Sequence, residues 1–431
     1  MPRRVYAFGQ TTIAFLTTPN NFYTAFPHRS NPTSSGKMIT HVPFLLLALA
    51  ATAPAAPASS LSHSISTPSY TLVADYSGPT FFDGFTTFTG PDPTHGNVNY
   101  LDMPTAAERE LLGFIYHAAS NATHAYIGVD YTTRGAANRD SVRLVSKRTF
   151  DVGTLAVFDI RHIPAAVGTW PSWWFLGDVS PQGIWPGNGG EVDVLEFVHG
   201  TEFNSMTLHT APGCVVDNSS SSSSSGVFQG SLANADCNAG AGSLGCSVAT
   251  PAHTHTGGLA TAGPAFNAQG GAVYAMLWTA VGVSVYIFAH DRLPADLVAG
   301  RTPDPSTWTA QPLARFAGAG CDFTKSLSTM QLIEDITFCG DWAGKVWGSM
   351  GLDRKTGSAS CEEYVRDRPE SFRDAYFEVA GIRIYEEKKR MEKRGLFAVA
   401  AAVEKAIEAA SVEFPSIDLR ERYAGAEEGQ K

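Results

Sequence analysis

The chain of 431 residues is poor in charge, has no cysteine before Cys214 and carries no apolar run long enough to cross a bilayer. Charged residues are 17% of the total and the net charge is −10, which argues against a nucleic-acid surface. Helical periodicity is missing from about Tyr70 to Tyr385, which excludes a helical bundle. No Cys-x-x-Cys or His-x3-His spacing occurs, so no metal site is expected, and no cofactor. No internal repeat is found.

Gly (41 residues) and aromatics (11%) are plentiful, and 44% of the chain is hydrophobic, ample for a core. Short apolar or alternating segments recur between Gly, Pro, Asn and Asp: Ser141–Ser146, Thr154–Ile160, Met206–Thr210, Ala272–Thr279, Val283–Phe288 and Tyr376–Tyr385. Many strands at this spacing predict an all-β sandwich or jelly roll over 65–386, whose broad sheet can carry an open cleft. After Tyr385 the composition changes. Residues 387–431 read as a charged, alanine-rich helical tail, solvated or weakly docked, with helical spacing at Val399, Val403, Ala406 and Ile407.

The run Val42–Ala51 has the length of a signal-peptide core. Met38 is therefore read as the true start, 1–37 as a gene-model extension or disordered segment, and 38–58 as a signal peptide. Six cysteines, even in number and irregularly spaced, suit disulfides in an exported protein, with the pairing open. The sequons Asn121-Ala-Thr123 and Asn218-Ser-Ser220 agree with export. A secreted monomer, with no membrane in its mature form, is expected.

Chemistry concentrates at Gly189-Gly-Glu-Val-Asp-Val-Leu-Glu-Phe197. The β-branched residues predict a strand, so Glu191 and Asp193 share a face. Strict alternation would bury Glu196, at a cost an unpaired carboxylate cannot recover. A β-bulge near Val194–Leu195 avoids this, returning Glu196 to the acidic face and turning Phe197 inward. Glu191 and Glu196 then lie roughly 13 Å apart at Cα, and leaning side chains leave their carboxyl groups about 5 Å apart, the separation of a retaining glycosidase. An acidic sheet face or a calcium site is the plainer alternative. Upstream stand Trp170, Trp173, Trp174 and Trp185, whose indole faces suit sugar rings; Trp170 and Trp185 are favoured for the cleft. His209, about a hairpin's length downstream, would share the acids' face, and Trp278 could be cleft wall or core.

Glu-Val-Asp-Val-Leu-Glu resembles the bulged signature of glycoside hydrolase family 16. Phe81-Phe-Asp-Gly-Phe, Gly168-Thr-Trp-Pro, Thr207-Leu-His-Thr, Gly270-Gly-Ala-Val-Tyr-Ala-Met and Cys339-Gly-Asp-Trp-Ala-Gly resemble its fungal endo-1,3(4)-β-glucanase (laminarinase-like) branch, in order, over residues 70–386. The resemblance implies a concanavalin-like β-jelly roll and retaining endo-hydrolysis of β-1,3 and mixed β-1,3/1,4 glucan. It implies Glu191 as nucleophile, Glu196 as acid/base and Asp193 as the assisting carboxylate, with Trp170, Trp185, His209 and Trp278 binding the polysaccharide. The chain departs from the branch at Val167, where relatives have Cys, and near Gly351, where the partner cysteine is missing. It also departs at Phe197-Val-His199, at Leu277 in place of Glu, and at Tyr286–Arg292. The changes at 197–199 and Leu277 are placed near the cleft. Transglycosylation and a non-catalytic, lectin-like glucan binder are the alternatives; the bulge favours hydrolysis over the first, the intact acids argue against the second.

Overall fold

The structure, a computed structural model, describes residues 69–177, 185–187, 189–217, 227–240, 244–255, 257–300, 302–388 and 412–423. All of them lie in one compact unit, 65–431. Residues 1–58 with the signal segment, the Asn218 sequon and residues 396–411 of the alanine-rich stretch lie outside the described residues.

Two antiparallel sheets make the sandwich. The first runs, in spatial order, β16 (Ala314–Ala317), β15 (Gly282–Phe288), β14 (Ala272–Thr279), β8 (Thr154–His162), β18 (Tyr376–Glu387), β5 (Ala122–Gly128) and β4 (Leu112–His117). β1 (Tyr70–Ser77) pairs with β18 as well. The second sheet runs β12 (Ser231–Asn234), β13 (Cys246–Ala249), β11 (Ser205–His209), β10 (Glu191–Glu196), β9 (Thr169–Leu176), β17 (Met330–Phe338), β7 (Arg143–Phe150) and β2 (Phe85–Thr87). A small parallel pair joins β3 (Val98–Tyr100) to β6 (Arg139–Ser141). The expected all-β jelly roll is the architecture observed.

Side-chain alternation decides which surfaces are covered. On β10, Val192 and Val194 join the main core between the sheets; on β8, Ala156, Phe158 and Ile160 do the same. Leu155 and Val157 of β8 point the other way, into a second cluster with Val273, Ala275, Leu297 and Tyr385. Buried on both faces, β8 is apolar without a break over Leu155–Phe158. Each Val, Leu, Ile or Phe among them contributes about 1.5–3 kcal/mol on burial.

Two expectations fail here. Trp278 is fully buried in the core between the sheets, beside Tyr274 and Met276 of β14, on the sheet opposite the acids. It is not a cleft residue. Leu277 alternates to the outer cluster, away from the acids as well. Residues four strands apart in sequence cannot be assigned to one sheet or the other from periodicity alone.

The three disulfides, Cys214–Cys321, Cys237–Cys246 and Cys339–Cys361, use all six cysteines. The tail also differs from a purely appended helix. Phe114 of edge strand β4 donates to Pro415 O (2.9 Å), and Ile417 N donates back to Phe114 O (2.7 Å). Phe414 stacks on Phe82 at 4.5 Å, and the buried Arg422 lies over the rings of Tyr131 and Tyr126. The segment covers an edge that would otherwise present unpaired backbone groups. Composition marks the break at Tyr385 but carries no trace of that exposed edge.

Candidate active site

The bulge is where the residues demanded it. β10 pairs with β9 as Glu191↔Leu176, Val192↔Phe175 and Asp193↔Trp174, then slips, resuming as Leu195↔Trp173 and Glu196↔Ser172. Val194 and Leu195 are both fully buried in the intersheet core, and so is Phe197. Glu191, Asp193 and Glu196 consequently share the opposite face.

A bulge leaves backbone groups without ladder partners. Asn204 supplies them: its Oδ1 accepts from Glu196 N at 2.8 Å, and its Nδ2 donates to Val194 O at 2.8 Å. Its own N–H donates to Thr250 Oγ1 (2.9 Å), and its side chain is wholly buried. No sequence pattern marks Asn204, because the groups it serves lie eight and ten residues away, on β10.

Two indoles serve the outer acids. Trp185 Nε1 donates to Glu191 Oε2 at 2.6 Å, and Trp170 Nε1 donates to Glu196 Oε1 at 2.7 Å. Trp185 is 45% exposed, leaving a free aromatic face next to Glu191. His209 stands opposite Glu191 in the β10–β11 register, 3.7 Å from Glu191 Oε1 and 3.2 Å from Asp193 Oδ2. Its ring packs 4.9 Å from that of Trp185. Gly245, at φ +79°, sits against His209; a Cβ there would come 2.7 Å from Nδ1. Trp170, Trp185 and His209 thus gather around the acids.

The next strands add groups that were missed. Asp335 of β17 lies opposite Ser172, and accepts hydrogen bonds from Trp174 Nε1 (2.8 Å), Tyr100 OH (2.8 Å) and Ser172 Oγ (3.2 Å). Arg143, opposite Asp335 on β7, stacks over Trp174 and Phe88, each at 4.8 Å. Trp342 meets Trp170 edge-on at 5.7 Å from a π-helical turn, Gly340–Gly344, which starts at Cys339 of the Cys339–Cys361 bridge. Trp173 goes to the core and Trp174 to the site face, as adjacent strand residues must. The adjacent acids Glu334-Asp335 in an apolar run were the available signal for Asp335.

His199 is structural rather than part of the cleft. It is buried, at φ +57°; its Nδ1 accepts from Gly168 N (3.0 Å) and its Nε2 donates to Ala343 O (2.8 Å). Burial pushes its pKa down to about 4, although the bond to Ala343 acts against this. The expectation that 197–199 lie near the cleft is corrected accordingly, since Phe197 is core. His199 instead ties together the loops that present Trp170 and Trp342.

Burial pushes all three acids above the ordinary carboxylate range, and neighbouring charge adds to it: Asp193 acts on Glu191 and Glu196, Asp335 on Asp193. His209 and Trp185 pull Glu191 back down, and Trp170 and His209 do so for Glu196. Carboxylates so close cannot all ionise near neutral pH, so the set shares protons and titrates as a unit. Glu191, Asp193 and His209 also bring donor atoms within 4.8 Å of one another, a set able to hold a cation.

A jelly-roll sandwich with an acid-lined, tryptophan-flanked sheet face is a carbohydrate-active architecture. The chain belongs to glycoside hydrolase family 16: the model of the XgeA-like, catalytic GH16 domain matches residues 85–385. The "Probable glycosidase" of Schizosaccharomyces pombe is 35% identical over 321 residues, covering 74% of this chain and 69% of that protein. A "Probable endo-1,3(4)-beta-glucanase" of Aspergillus clavatus is 35% identical over 325 residues, covering 74% of this chain and 46% of that protein. The chain thus spans about half the length of that Aspergillus relative. Among solved structures, laminarinase 16A of Phanerochaete chrysosporium, with two β-glucans in donor and acceptor sites, is 34% identical with a TM-score of 0.63. The match covers 74% of this chain and all of that one. An elongating family 16 β-1,3-glucosyltransferase is 33% identical, with a TM-score of 0.61 over 73% of this chain and 99% of that one.

Proposed function

We propose that the protein is a retaining endo-1,3(4)-β-glucanase, in which Glu191 attacks the anomeric carbon and Glu196 protonates the departing glycosidic oxygen. The single observation that carries this reading is the slip in the β9–β10 register, which puts both glutamates and Asp193 on one face. Glu191 is the better-served anion, with Trp185 N–H donating to it and His209 nearby. Glu196 accepts from Trp170 N–H, and burial and Asp193 push its pKa up as they do that of Glu191, so the proton the acids share is available to Glu196 in its role as acid. After the leaving group departs, Glu196 takes a proton from the water that attacks the anomeric carbon and releases the Glu191 carboxylate, while the charge of Asp193, felt by both glutamates, helps to keep their titrations apart. Retention asks for carboxyl groups about 5 Å apart. Trp170, Trp185 and Trp342 offer stacking surfaces for glucosyl rings on both sides of the acids. A relative named as a probable endo-1,3(4)-beta-glucanase and a laminarinase holding β-glucans support β-glucan as substrate.

The decisive test is hydrolysis of laminarin and lichenan by wild type and Glu191→Gln. Reducing-end release is expected to disappear in the variant, and the first product seen by NMR is expected to keep the β configuration. Undiminished release, or an initial α product, would rule the assignment out. One observation favours a second reading: a relative at 33% identity is described as an elongating glucosyltransferase. A sugar hydroxyl in place of water on the same glycosyl-enzyme would lengthen oligosaccharides, and product-length analysis on laminari-oligosaccharides separates the two. We also propose that the protein works outside the cytosol, a reading supported by the fully paired cysteines.

A further inference from the structure

We propose that His117, His124 and Glu378 form a binding site for a divalent transition metal of the zinc type, on the face of the first sheet that points away from the acids. The three residues come from neighbouring strands β4, β5 and β18. His117 pairs with Ala122 and Ile115 with His124, so the two imidazoles sit diagonally on one face of the hairpin. Glu378 pairs with Tyr126, two residues beyond His124, and therefore joins the same face. Leu112 and Phe114 of β4, Ala125 of β5 and Phe377 of β18 alternate into the main core, between this face and the second sheet.

The donor atoms converge. Glu378 Oε1 lies 2.7 Å from His117 Nε2 and 2.6 Å from His124 Nδ1, and the two rings are 4.3 Å apart. One atom from each residue falls within 4.8 Å of the others. Two imidazoles and one carboxylate are the donor set of open zinc sites, in which water or another ligand fills the fourth position. Tetrahedral bonds of about 2.1 Å hold ligand atoms roughly 3.4 Å apart, so the carboxylate oxygen needs to retreat by less than about 1 Å. The side chains of His124 and Glu378 are 11% and 9% exposed, whereas that of His117 is 37% exposed and gives an entry path. Such a metal takes no part in glucan cleavage. It clips the β4–β5 hairpin onto β18. A triad spread over three strands has no spacing signature in the sequence.

The test uses the untagged chain, stripped with EDTA and titrated calorimetrically with zinc chloride near neutral pH. One saturable zinc ion per chain is expected in wild type, with a rise in melting temperature on adding zinc. His117→Ala and His124→Ala are expected to lose both effects while hydrolysing laminarin at the wild-type rate. His209→Ala is expected to keep them, which separates this site from the acids of the other sheet. His117 is the safer substitution because it is partly exposed, so its variant decides the matter should the His124 variant fail to fold. No saturable zinc in wild type, zinc binding that survives in His117→Ala, or zinc binding lost in His209→Ala would each overturn the proposal.

Discussion

Strands β10 and β17 of the second sheet each carry acids inside an apolar run, and they dispose of them in opposite ways. In β17 the register with β9 is regular through the acids, Glu334↔Trp173 and Asp335↔Ser172, so alternation sends one in and one out. Glu334 is fully buried between the sheets, neither of its oxygens has a hydrogen-bond partner among the described residues, and burial holds its pKa well above the ordinary glutamate value. Asp335 emerges among three donors. In β10, one extra residue spares Glu196 the fate of Glu334. The difference shows how a single inserted residue decides whether a carboxyl group becomes reactive surface or a neutral burden in the core.

The sharpest way to break this contrast is to remove what stabilises the bulge. Asn204→Leu leaves Val194 O and Glu196 N without partners, at about 1–3 kcal/mol each, and lets Glu196 shift. A fall of about 100-fold in kcat is expected from a displacement on the order of 1 Å, with circular dichroism showing the sandwich intact. A folded variant at full rate would mean that Asn204 does not position the acid. Next in size, Asp193→Asn removes a negative neighbour that raises Glu196. The alkaline limb of the pH–rate profile is expected to move down by about one unit, together with a lower rate; an unmoved limb would break the link between the two groups.

Glu334→Leu works on the other strand. Exchanging a buried carboxyl group without partners for an apolar side chain is expected to stabilise the fold by about 1–3 kcal/mol, measured by urea unfolding. The sign with pH follows from the raised folded pKa. Wild-type stability is fully present below the unfolded glutamate value and falls as pH climbs toward the folded one, because only the unfolded chain gains by ionising. The advantage of the variant should therefore be small near pH 4 and larger near pH 7 (both approximate). A pH-independent advantage would show that Glu334 does not titrate as described. The smallest effect is expected from Leu277→Glu, which places a charge on the outer face of the first sheet. Laminarin hydrolysis should stay at the wild-type rate, and a changed product pattern would return residue 277 to the cleft.

The three acids, their common face and the bulge were legible because they depend on neighbours in the chain. So did the division of Trp173 and Trp174 between core and site face, though not which of them went where. Trp278 looked equally suited to wall or core, since indole serves both; its place depended on β14 belonging to the sheet opposite the acids. Leu277 failed for the same reason, and His199 because its partners, Gly168 and Ala343, are far away in sequence.

From sequence alone came the sandwich class and the acidic row on its bulged strand, because strand alternation and the cost of burying an ionised carboxylate act within a few residues. Tertiary structure alone decided the cysteine pairing, the service of Asn204 to the bulge, the Asp335 network, the docking of residues 412–423 on the edge of β4, and the meeting of His117, His124 and Glu378. Each of these requires knowing which strands become neighbours, and strand neighbourhood is set by the packing of the whole core rather than by any local spacing.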